Sequence, residues 1–307
     1  MRMRLPGPRL AFGATRPQFL AASLLPVLIG SAWGWRIAGR LDLPALLLAV
    51  LATLLVHAAS NVYNDVTDEE LGTDRANTTR IAPFTGGSRF IQDGLIELPE
   101  MRRLAGILAL LAGGAGTALA LRAGPGVLAF GIAGGLLGLT YSLPGLRLSG
   151  RGLGEAAIAA AFGILPVTGA AWLQTGSLDA EAVLLAVPVS SWVAAIILAN
   201  EIPDAPSDGV TGKRTLAVRL GARTPLLHSL FQVAAFAALA TMAARGLLPE
   251  WGILLPAALL AAGLYASWLL AGSRSQLARG IRLTLGIHAI GSLWLLAAVI
   301  LPGAGSQ

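Results

Sequence analysis

The chain has 307 residues, of which 55% are hydrophobic and 12% charged, and its mean hydropathy is +0.71. Soluble globular proteins carry about 25% charged residues, so this composition predicts a protein that lies in a lipid bilayer. The chain has no cysteine, which excludes disulfides, thiolate metal sites and cysteine nucleophiles. Its three histidines, His57, His228 and His288, lie too far apart for a zinc motif, so oxygen atoms must hold any metal.

Nine apolar runs are long enough to cross a bilayer as helices, for which about 20 residues are needed. They cover residues 17–35, 43–64, 104–121, 125–143, 153–174, 181–200, 226–244, 251–271 and 281–301. We therefore expect an all-α integral membrane protein with nine transmembrane helices. One transmembrane domain over residues 1–307 accounts for the whole chain.

Basic residues predict how these helices are oriented. Most of the 22 Lys and Arg residues lie in the N-terminal tail, 1–16, or in and beside the segments after the second, fourth, sixth and eighth runs. Positive charge marks the cytoplasmic side of a membrane protein, so we expect a cytoplasmic N-terminus and a C-terminus across the inner membrane. Orientation also explains the net charge of +6 better than a nucleic-acid partner does, because no basic stripe is present.

The two most polar connections, 65–103 and 201–223, follow the second and sixth runs and are expected on the cytoplasmic side. They lie four helices apart, and an even number of crossings preserves orientation. This spacing predicts two four-helix units with facing polar loops, plus a ninth helix.

The first loop follows a run of Asn and Asp residues at helical spacing. If the second helix continues past Asn64, then Asn61, Asp65 and Asp68 are spaced i, i+4, i+7 and share one face. Such a face suits a cation.

The second loop repeats this pattern with Asn200, Asp204 and Asp208 at i, i+4, i+8. Pro203 and Pro206 each remove a backbone donor there, and they predict a kink or an end to the helix.

Mg²⁺ prefers oxygen ligands and is commonly held by one or two carboxylates together with substrate phosphates, so two aspartate clusters suit a bridged diphosphate. Carboxylates alone repel that anion, and basic residues beside the clusters are expected to pair with it. These are Arg75, Arg80, Arg89, Lys213 and Arg214. The alternative interpretation is a set of ordinary solvated loop charges. An EF-hand is excluded by the missing final glutamate of that motif.

These motifs resemble those of a known family. Asn-x-x-Asn-Asp-x-x-Asp-x-x-x-Gly-x-Asp over 61–74, and Asn-x-x-x-Asp-x-x-x-Asp followed by Gly-Lys-Arg-Thr-Leu-Ala-Val-Arg-Leu-Gly within 200–221, are similar to the two aspartate-rich motifs of the UbiA superfamily of intramembrane prenyltransferases. Arg16-Pro17 and the Gly152–Glu155 segment also fit. Within the superfamily, the chain most resembles the 1,4-dihydroxy-2-naphthoate polyprenyltransferases of menaquinone synthesis.

The resemblance implies Mg²⁺-dependent transfer of a polyprenyl chain from an allylic diphosphate to an aromatic acceptor. It implies that Lys213 stabilises the leaving group, and that the other site residues fall into two classes. The metal ligands are Asp65, Asp68, Asp74, Asp204 and Asp208, and the residues that orient ligands or diphosphate oxygens are Asn61, Asn64 and Asn200. Asp74 substitutes for a third aspartate that many relatives carry at the position of Gly72.

Several residues allow two interpretations. Tyr141 either faces the allylic cation or acceptor ring, or anchors its helix at the membrane interface. Arg147 either binds an acceptor carboxylate or belongs to the cytoplasmic basic residues. His57 is expected to be a buried, hydrogen-bonded histidine. Residues 85–89, Thr-Gly-Gly-Ser-Arg, occupy the position where a Gly-Pro-x-Arg-like stretch is expected. The identity of the acceptor therefore stays open.

Other functions remain as alternatives. One alternative is prenyl transfer to a different acceptor, either 4-hydroxybenzoate or another aromatic or lipid molecule. A membrane transporter is the rival from another class, but transporter sites lie near the bilayer midplane, whereas these acidic residues gather at one face. A phosphatidyltransferase requires glycine after its second aspartate, and here Asp68 precedes Glu69.

Overall fold

The structure, a computed structural model, describes residues 5–301, and all regular elements in this range are helical. The predicted all-α class is confirmed for this range; residues 1–4 of the predicted tail and 302–307 of the predicted domain lie outside it. The helices are α1 Pro8–Ala14, α2 Ala21–Ala38, α3 Leu43–Glu70, α4 Thr73–Ala76, α5 Leu98–Ala123, α6 Val127–Ser142, α7 Gly154–Ala159, α8 Leu165–Thr175, α9 Ala180–Val210, α10 Leu216–Leu220, α11 Thr224–Ala244, α12 Leu254–Leu270 and α13 Arg274–Ile300.

Seven described helical segments are long and apolar enough to cross a membrane. They are Pro17–Ala38, Leu43–Glu70, Leu98–Ala123, Gly154–Thr175, Ala180–Val210, Leu216–Ala244 and Arg274–Ile300. The fourth and eighth predicted spans form α6 and α12, apolar helices of 16 and 17 residues. At 1.5 Å per residue such helices measure about 24–26 Å, which is less than a hydrocarbon core of about 30 Å.

The two helices that carry the acidic motifs are long: α3 has 28 residues and α9 has 31. At 1.5 Å per residue α9 measures about 46 Å and exceeds the hydrocarbon core. Pro203 and Pro206 lie inside α9 and do not end it, so of the two outcomes that these prolines predict, termination is wrong. The neighbouring loop contacts this part of the helix, where Thr79 Oγ1 donates to the Pro203 carbonyl at 2.6 Å.

The main hydrophobic core lies where α2, α8 and α9 meet the three C-terminal helices, and it includes Leu185, Trp192, Leu239 and Leu295. Polar contacts add to it. His228 on α11 bonds to Ser267 Oγ on α12 at 2.7 Å and to Thr284 Oγ1 on α13 at 3.0 Å. Such interhelical hydrogen bonds hold helices together in lipid, where no hydrophobic force drives them to associate.

The ends of α3 and α9 lie at the same end of the helix bundle, as the facing-loop prediction requires. The short helix α4, directly after α3, packs against α9. Thr73 Oγ1 on α4 and Thr211 Oγ1, the first residue after α9, lie 3.3 Å apart. The fold therefore brings the two acidic motifs together although they are far apart in sequence.

Candidate active site

The first acidic cluster forms at the end of α3. The helix continues to Glu70, so Asp65 and Asp68 are helical and buried, as the spacing predicts. Gly72 then adopts a left-handed conformation (φ 75°), which reverses the chain direction and starts α4. This turn buries Asp74 beside the other two carboxyl groups.

A loop formed by residues 85–89 connects the first cluster to the second. The backbone N–H of Gly86 donates to Asp204 Oδ2 at 3.1 Å, and that of Ser88 donates to Asp65 Oδ2 at 3.1 Å. One short segment thus binds an aspartate from α9 and another from α3. We call it the bridging loop.

Gly87 lies at the centre of the bridging loop and leaves no room for a side chain. A Cβ atom there would lie 2.4 Å from Asp74 Oδ2 and 3.1 Å from Asp65 Oδ1. The carboxylates of Asp65 and Asp74 therefore converge on the backbone of this residue. Asp204 is fixed further by Asn77, whose Nδ2 donates to Asp204 Oδ1 at 2.7 Å.

Lys213 joins the two clusters. Its Nζ atom lies 3.4 Å from Asp68 Oδ2 on α3 and 3.8 Å from Asp208 Oδ1 on α9, and its side chain is only 13% exposed. Burial disfavours the charged ammonium, but the carboxylates of Asp68 and Asp208 outweigh it and raise the pKa of Lys213. The raised pKa favours the positively charged form of the lysine in the acidic site.

Two backbone contacts hold the segment that carries Lys213. The N–H of Arg214 donates to the Gly150 carbonyl at 2.9 Å, and that of Leu216 donates to Glu155 Oε1 at 2.7 Å. The buried Glu155 thus faces the protein interior, as expected of a carboxylate in a membrane helix.

The electrostatics of the first cluster favour a bound cation. Burial, and then the charges of Asp68 and Asp65, raise the pKa of Asp74 to about 8. Asp65 Oδ1 and Asn200 Oδ1 are buried without a hydrogen-bond partner. Buried polar atoms are normally paired, so these two oxygens are free to bind a ligand.

The donor set fits Mg²⁺ only in part. Among residues 5–301 no three His, Asp or Glu side chains converge to form a complete metal site. Mg²⁺ usually keeps several waters and is held by one or two carboxylates together with substrate phosphates. The arrangement therefore fits an ion whose coordination is completed by water and an anionic substrate.

A cavity of about 140 Å³ opens beside the acidic clusters, between α2, α3, α6, α7 and α9. Its polar residues are Arg16, Asn61, Asn64, Tyr141 and Asn200, together with Ser60 and His57, and the rest of its lining is apolar. The site therefore combines an acidic end with an apolar chamber.

Two asparagines at the mouth of the cavity are held by neighbouring elements. Asn61 Nδ2 donates to the Thr15 carbonyl at 2.9 Å, and Asn64 Nδ2 donates to Ser142 Oγ at 3.3 Å. Tyr141 lines the cavity next to Ser142, which places it within reach of a bound ligand.

The predicted arginines are placed differently from one another. Arg75 lies away from the acids: its side chain is 70% exposed and pairs with Glu69. Arg214 is also exposed. Arg89 lies at the site, where it donates to the backbone carbonyl of Asp74. Two further predicted arginines contact glycines near the site: Arg80 packs against Gly86, and Arg147 against Gly150.

Sequence reasoning missed Arg16 as a site residue. Arg16 adopts a left-handed conformation (φ 56°), lines the cavity and donates to the Phe84 carbonyl at 3.2 Å. Its guanidinium lies 5.1 Å from the centre of the Phe19 ring. The Arg-Pro dipeptide before the first span was the one available signal.

An acidic end with a fixed cation beside an apolar cavity, in a bundle of long apolar helices, is the arrangement of a membrane-embedded protein whose site suits an amphipathic, anionic ligand. Residues 23–290 match the UbiA prenyltransferase family, and the chain belongs to that family. It is therefore a prenyl-transferring enzyme, which confirms the family resemblance of its motifs.

Individual relatives agree with this assignment. A 1,4-dihydroxy-2-naphthoate octaprenyltransferase of Haemophilus influenzae is 32% identical over 219 residues, which are 67% of this chain and 68% of that protein. UbiA prenyltransferase domain-containing protein 1 of Danio rerio is 31% identical over 210 residues, 68% of this chain and 60% of that protein.

Solved structures share the fold. A UbiA homolog from Aeropyrum pernix has a TM-score of 0.69 at 20% identity and covers 92% of this chain and 96% of its own. A UbiA homolog from Archaeoglobus fulgidus bound to DMAPP and Mg²⁺ has a TM-score of 0.66 at 15% identity and covers 94% of this chain and 99% of its own.

Proposed function

We propose that this enzyme transfers a polyprenyl chain from an allylic isoprenoid diphosphate to 1,4-dihydroxy-2-naphthoate in quinone biosynthesis. The observation that carries the proposal is the position of Lys213 between Asp68 and Asp208, next to a cavity of matching amphipathic character. The relative from Haemophilus influenzae is named for this acceptor, and the homolog from Archaeoglobus fulgidus binds a prenyl diphosphate with Mg²⁺.

The acidic residues would hold Mg²⁺ in two groups: Asp65, Asp68 and Asp74 from the first motif, and Asp204 and Asp208 from the second. The metal neutralises diphosphate charge and so makes the diphosphate a better leaving group. The amides of Asn61, Asn64 and Asn200 line the cavity mouth and orient the ligands or the diphosphate oxygens.

Lys213 stabilises the leaving group. Negative charge accumulates on the diphosphate as its bond to the first prenyl carbon breaks, and a charge fixed in a buried site stabilises it without reorganisation. Arg16, which lines the cavity, and Arg89, which donates to the Asp74 carbonyl, are placed to add positive charge.

The cavity protects the reactive carbon. Its apolar lining binds the prenyl chain and excludes water, which would otherwise capture the allylic cation. The ring of Tyr141 borders the same space, where an aromatic face attracts positive charge.

The acceptor reacts through an electron-rich ring carbon. That carbon attacks the first carbon of the prenyl chain, and the ring then loses a proton. Arg147, adjacent to Gly150 and the Lys213 segment, is our candidate for binding an acceptor carboxylate. If the acceptor is 4-hydroxybenzoate or another aromatic or lipid molecule, the donor half of the site is unchanged.

We further infer a single domain over residues 1–307 in the inner membrane, with nine crossings arranged as two four-helix units and a ninth helix. Basic residues support a cytoplasmic location for the N-terminus and for residues 65–103 and 201–223. The C-terminus would then lie on the opposite side.

An assay with purified protein tests the proposal. The enzyme is incubated with Mg²⁺, geranylgeranyl diphosphate and a panel of aromatic acceptors, and products are identified by mass. We expect prenylated 1,4-dihydroxy-2-naphthoate, with formation abolished by EDTA and restored by excess Mg²⁺. If product forms only with a different acceptor, the proposed acceptor is wrong. If no diphosphate is released with any acceptor, the whole proposal is wrong. Ion-driven uptake by proteoliposomes without prenylated product would favour the transporter.

A further inference from the structure

The cavity has a defined depth, because its lining residues follow helical spacing on two long helices. On α3 they are His57, Ser60, Asn61 and Asn64, and on α9 they are Val193, Ile196, Ile197 and Asn200. Both series are i, i+3, i+4, i+7 and end in an asparagine at the acidic site. At 1.5 Å per residue, His57 lies about 10 Å deeper than Asn64.

The residues that line the other walls also run from the acidic mouth of the cavity to its deep end. On α6, Tyr141 lies beside the mouth, since the adjacent Ser142 contacts Asn64, and Leu137 lies one turn deeper. The helix α7 begins near the Lys213 segment, and the lining continues from Ala157 to Phe162 at its far end.

Two aromatic rings meet at the deep end. The centres of the His57 and Phe162 rings are 4.5 Å apart, with the rings at 66° to one another in an edge-to-face contact. His57 is fixed in turn by Ser23, whose Oγ lies 2.6 Å from the imidazole Nδ1. We call the His57–Phe162 pair the cavity floor.

The backbone holds Phe162 in place. Residues Ala160–Ile164 form a π-helical turn between α7 and α8, and such turns often occur at functional sites. The neighbouring Gly163 packs directly on α9, where a Cβ atom would lie 2.0 Å from Ser190 Oγ. This close contact fixes the backbone of the turn that carries Phe162 against α9.

From this geometry we infer that the His57–Phe162 floor sets how many isoprene units of the donor lie inside the helix bundle. The inference rests on the proposed function, because it names the chain-length specificity of that same cavity. A chain that reaches the floor fills the cavity, and a shorter chain leaves part of it empty. The carbons of a longer chain find no further cavity wall to contact beyond the floor.

The floor predicts a saturating dependence on donor length. In the wild-type enzyme, kcat/KM should rise with each isoprene unit until the chain reaches the floor and then stay constant. Phe162→Ala deepens the cavity and should move this plateau to a longer donor. Phe162→Trp raises the floor and should move it to a shorter one. One methylene in an apolar pocket changes kcat/KM by about tenfold or more, so we expect at least a tenfold change in the ratio between donors.

The experiment measures kcat/KM for dimethylallyl, geranyl, farnesyl and geranylgeranyl diphosphates with one acceptor. Phe130→Ala is the matched control, because Phe130 packs against Trp172, 5.9 Å away, and does not line the cavity. Opposite shifts in the two Phe162 variants, with a wild-type profile in the control, would support the inference.

Other outcomes contradict it. Active Phe162 variants with the wild-type length profile would overturn the inference, and so would identical shifts in the control. Phe162→Leu, which keeps an apolar side chain of similar volume, covers the case in which the other variants do not fold. Loss of activity with all donors in all three variants would show that Phe162 is needed for folding or chemistry and not for length selection. A wild-type enzyme that uses neither these donors nor a longer polyprenyl diphosphate would contradict the proposed function instead.

Discussion

The two acidic motifs look alike in sequence but differ in their surroundings. Each carries two aspartates near the end of a long helix. In the first, Asp65 Oδ1 has no hydrogen-bond partner and Asp74 lies against like charges. In the second, both oxygens of Asp204 accept hydrogen bonds, one from Asn77 and one from the bridging loop.

The difference assigns distinct tasks to similar residues. The first cluster retains free, mutually repelling oxygens, which is the condition under which a carboxylate site binds a cation. Asp204 in the second cluster also fixes the bridging loop that covers the first. Spacing alone does not reveal that one of the candidate metal ligands also positions a loop.

The largest expected effect is a loss of kcat when an aspartate is replaced by asparagine, and the same substitution in each motif compares the two clusters. We expect Asp65→Asn to lower kcat about 1000-fold, equivalent to about 4 kcal/mol, because charge that faces the cation is lost. Asp204→Asn should lower it only about 10- to 100-fold. An asparagine keeps one acceptor oxygen, and the Asn77 amide can rotate to pair with the new amide nitrogen. The measurement is diphosphate release across a Mg²⁺ titration.

The two variants should also differ in their need for metal. Both variants should require more Mg²⁺ for half-maximal activity, and the increase should be larger for Asp65→Asn, because both oxygens of Asp204 already accept hydrogen bonds. Equal losses of rate with equal shifts in Mg²⁺ requirement would show that these hydrogen bonds make no difference to metal binding, and the comparison would then be wrong.

A somewhat smaller effect is expected at the residue that joins the clusters. Lys213→Met keeps the length of the side chain but removes its charge, and we expect kcat to fall about 100- to 1000-fold. Lys213→Arg should retain more activity because it keeps the charge. Diphosphate release at saturating Mg²⁺ is the measurement.

Arg122→Met is a matched control for the lysine variant. Arg122 is an exposed cation paired with Asp42 at 2.8 Å, away from both acidic motifs. Removing an exposed ion pair has little effect on stability, so this variant should keep wild-type turnover. Normal turnover in Lys213→Met would contradict a role in leaving-group stabilisation.

The smallest effect is expected at Asn77, which holds Asp204, the residue that in turn anchors the bridging loop. Asn77→Ala removes the 2.7 Å hydrogen bond to Asp204 but no charge. We expect KM for the diphosphate to rise about tenfold with a smaller change in kcat, as for other residues that orient ligands indirectly. Thr78→Ala, at the exposed neighbouring position, should behave as wild type. An unchanged KM in Asn77→Ala would show that this contact does not position the loop.

The helical part of the site could be predicted from sequence because helical periodicity determines which residues share a face. Asn61, Asp65 and Asp68 follow that periodicity, and the structure continues α3 through them. His57 was expected to be buried and hydrogen-bonded, and Ser23 is its partner. Its place in the cavity wall depends on how helices pack against each other, which spacing on one helix does not specify.

The bridging loop could not be predicted from sequence. It acts through backbone N–H groups, and their directions depend on φ angles such as the 73° and 68° of Gly86 and Gly87. Residue identity at 85–89 indicated only a departure from the expected pattern. Asn77 was missed for a related reason, since its partner Asp204 lies far away in sequence and the pairing exists only after folding.

The crowding around Gly87 has a practical consequence for anyone who wishes to redesign this enzyme. Every side chain larger than hydrogen would push on Asp74 or Asp65, and the position also has a positive φ that disfavours other residues. A library that randomises 85–89 should therefore return glycine at 87 among its active members, whatever new acceptor is selected. Variation in acceptor choice has to come from the flanking side chains.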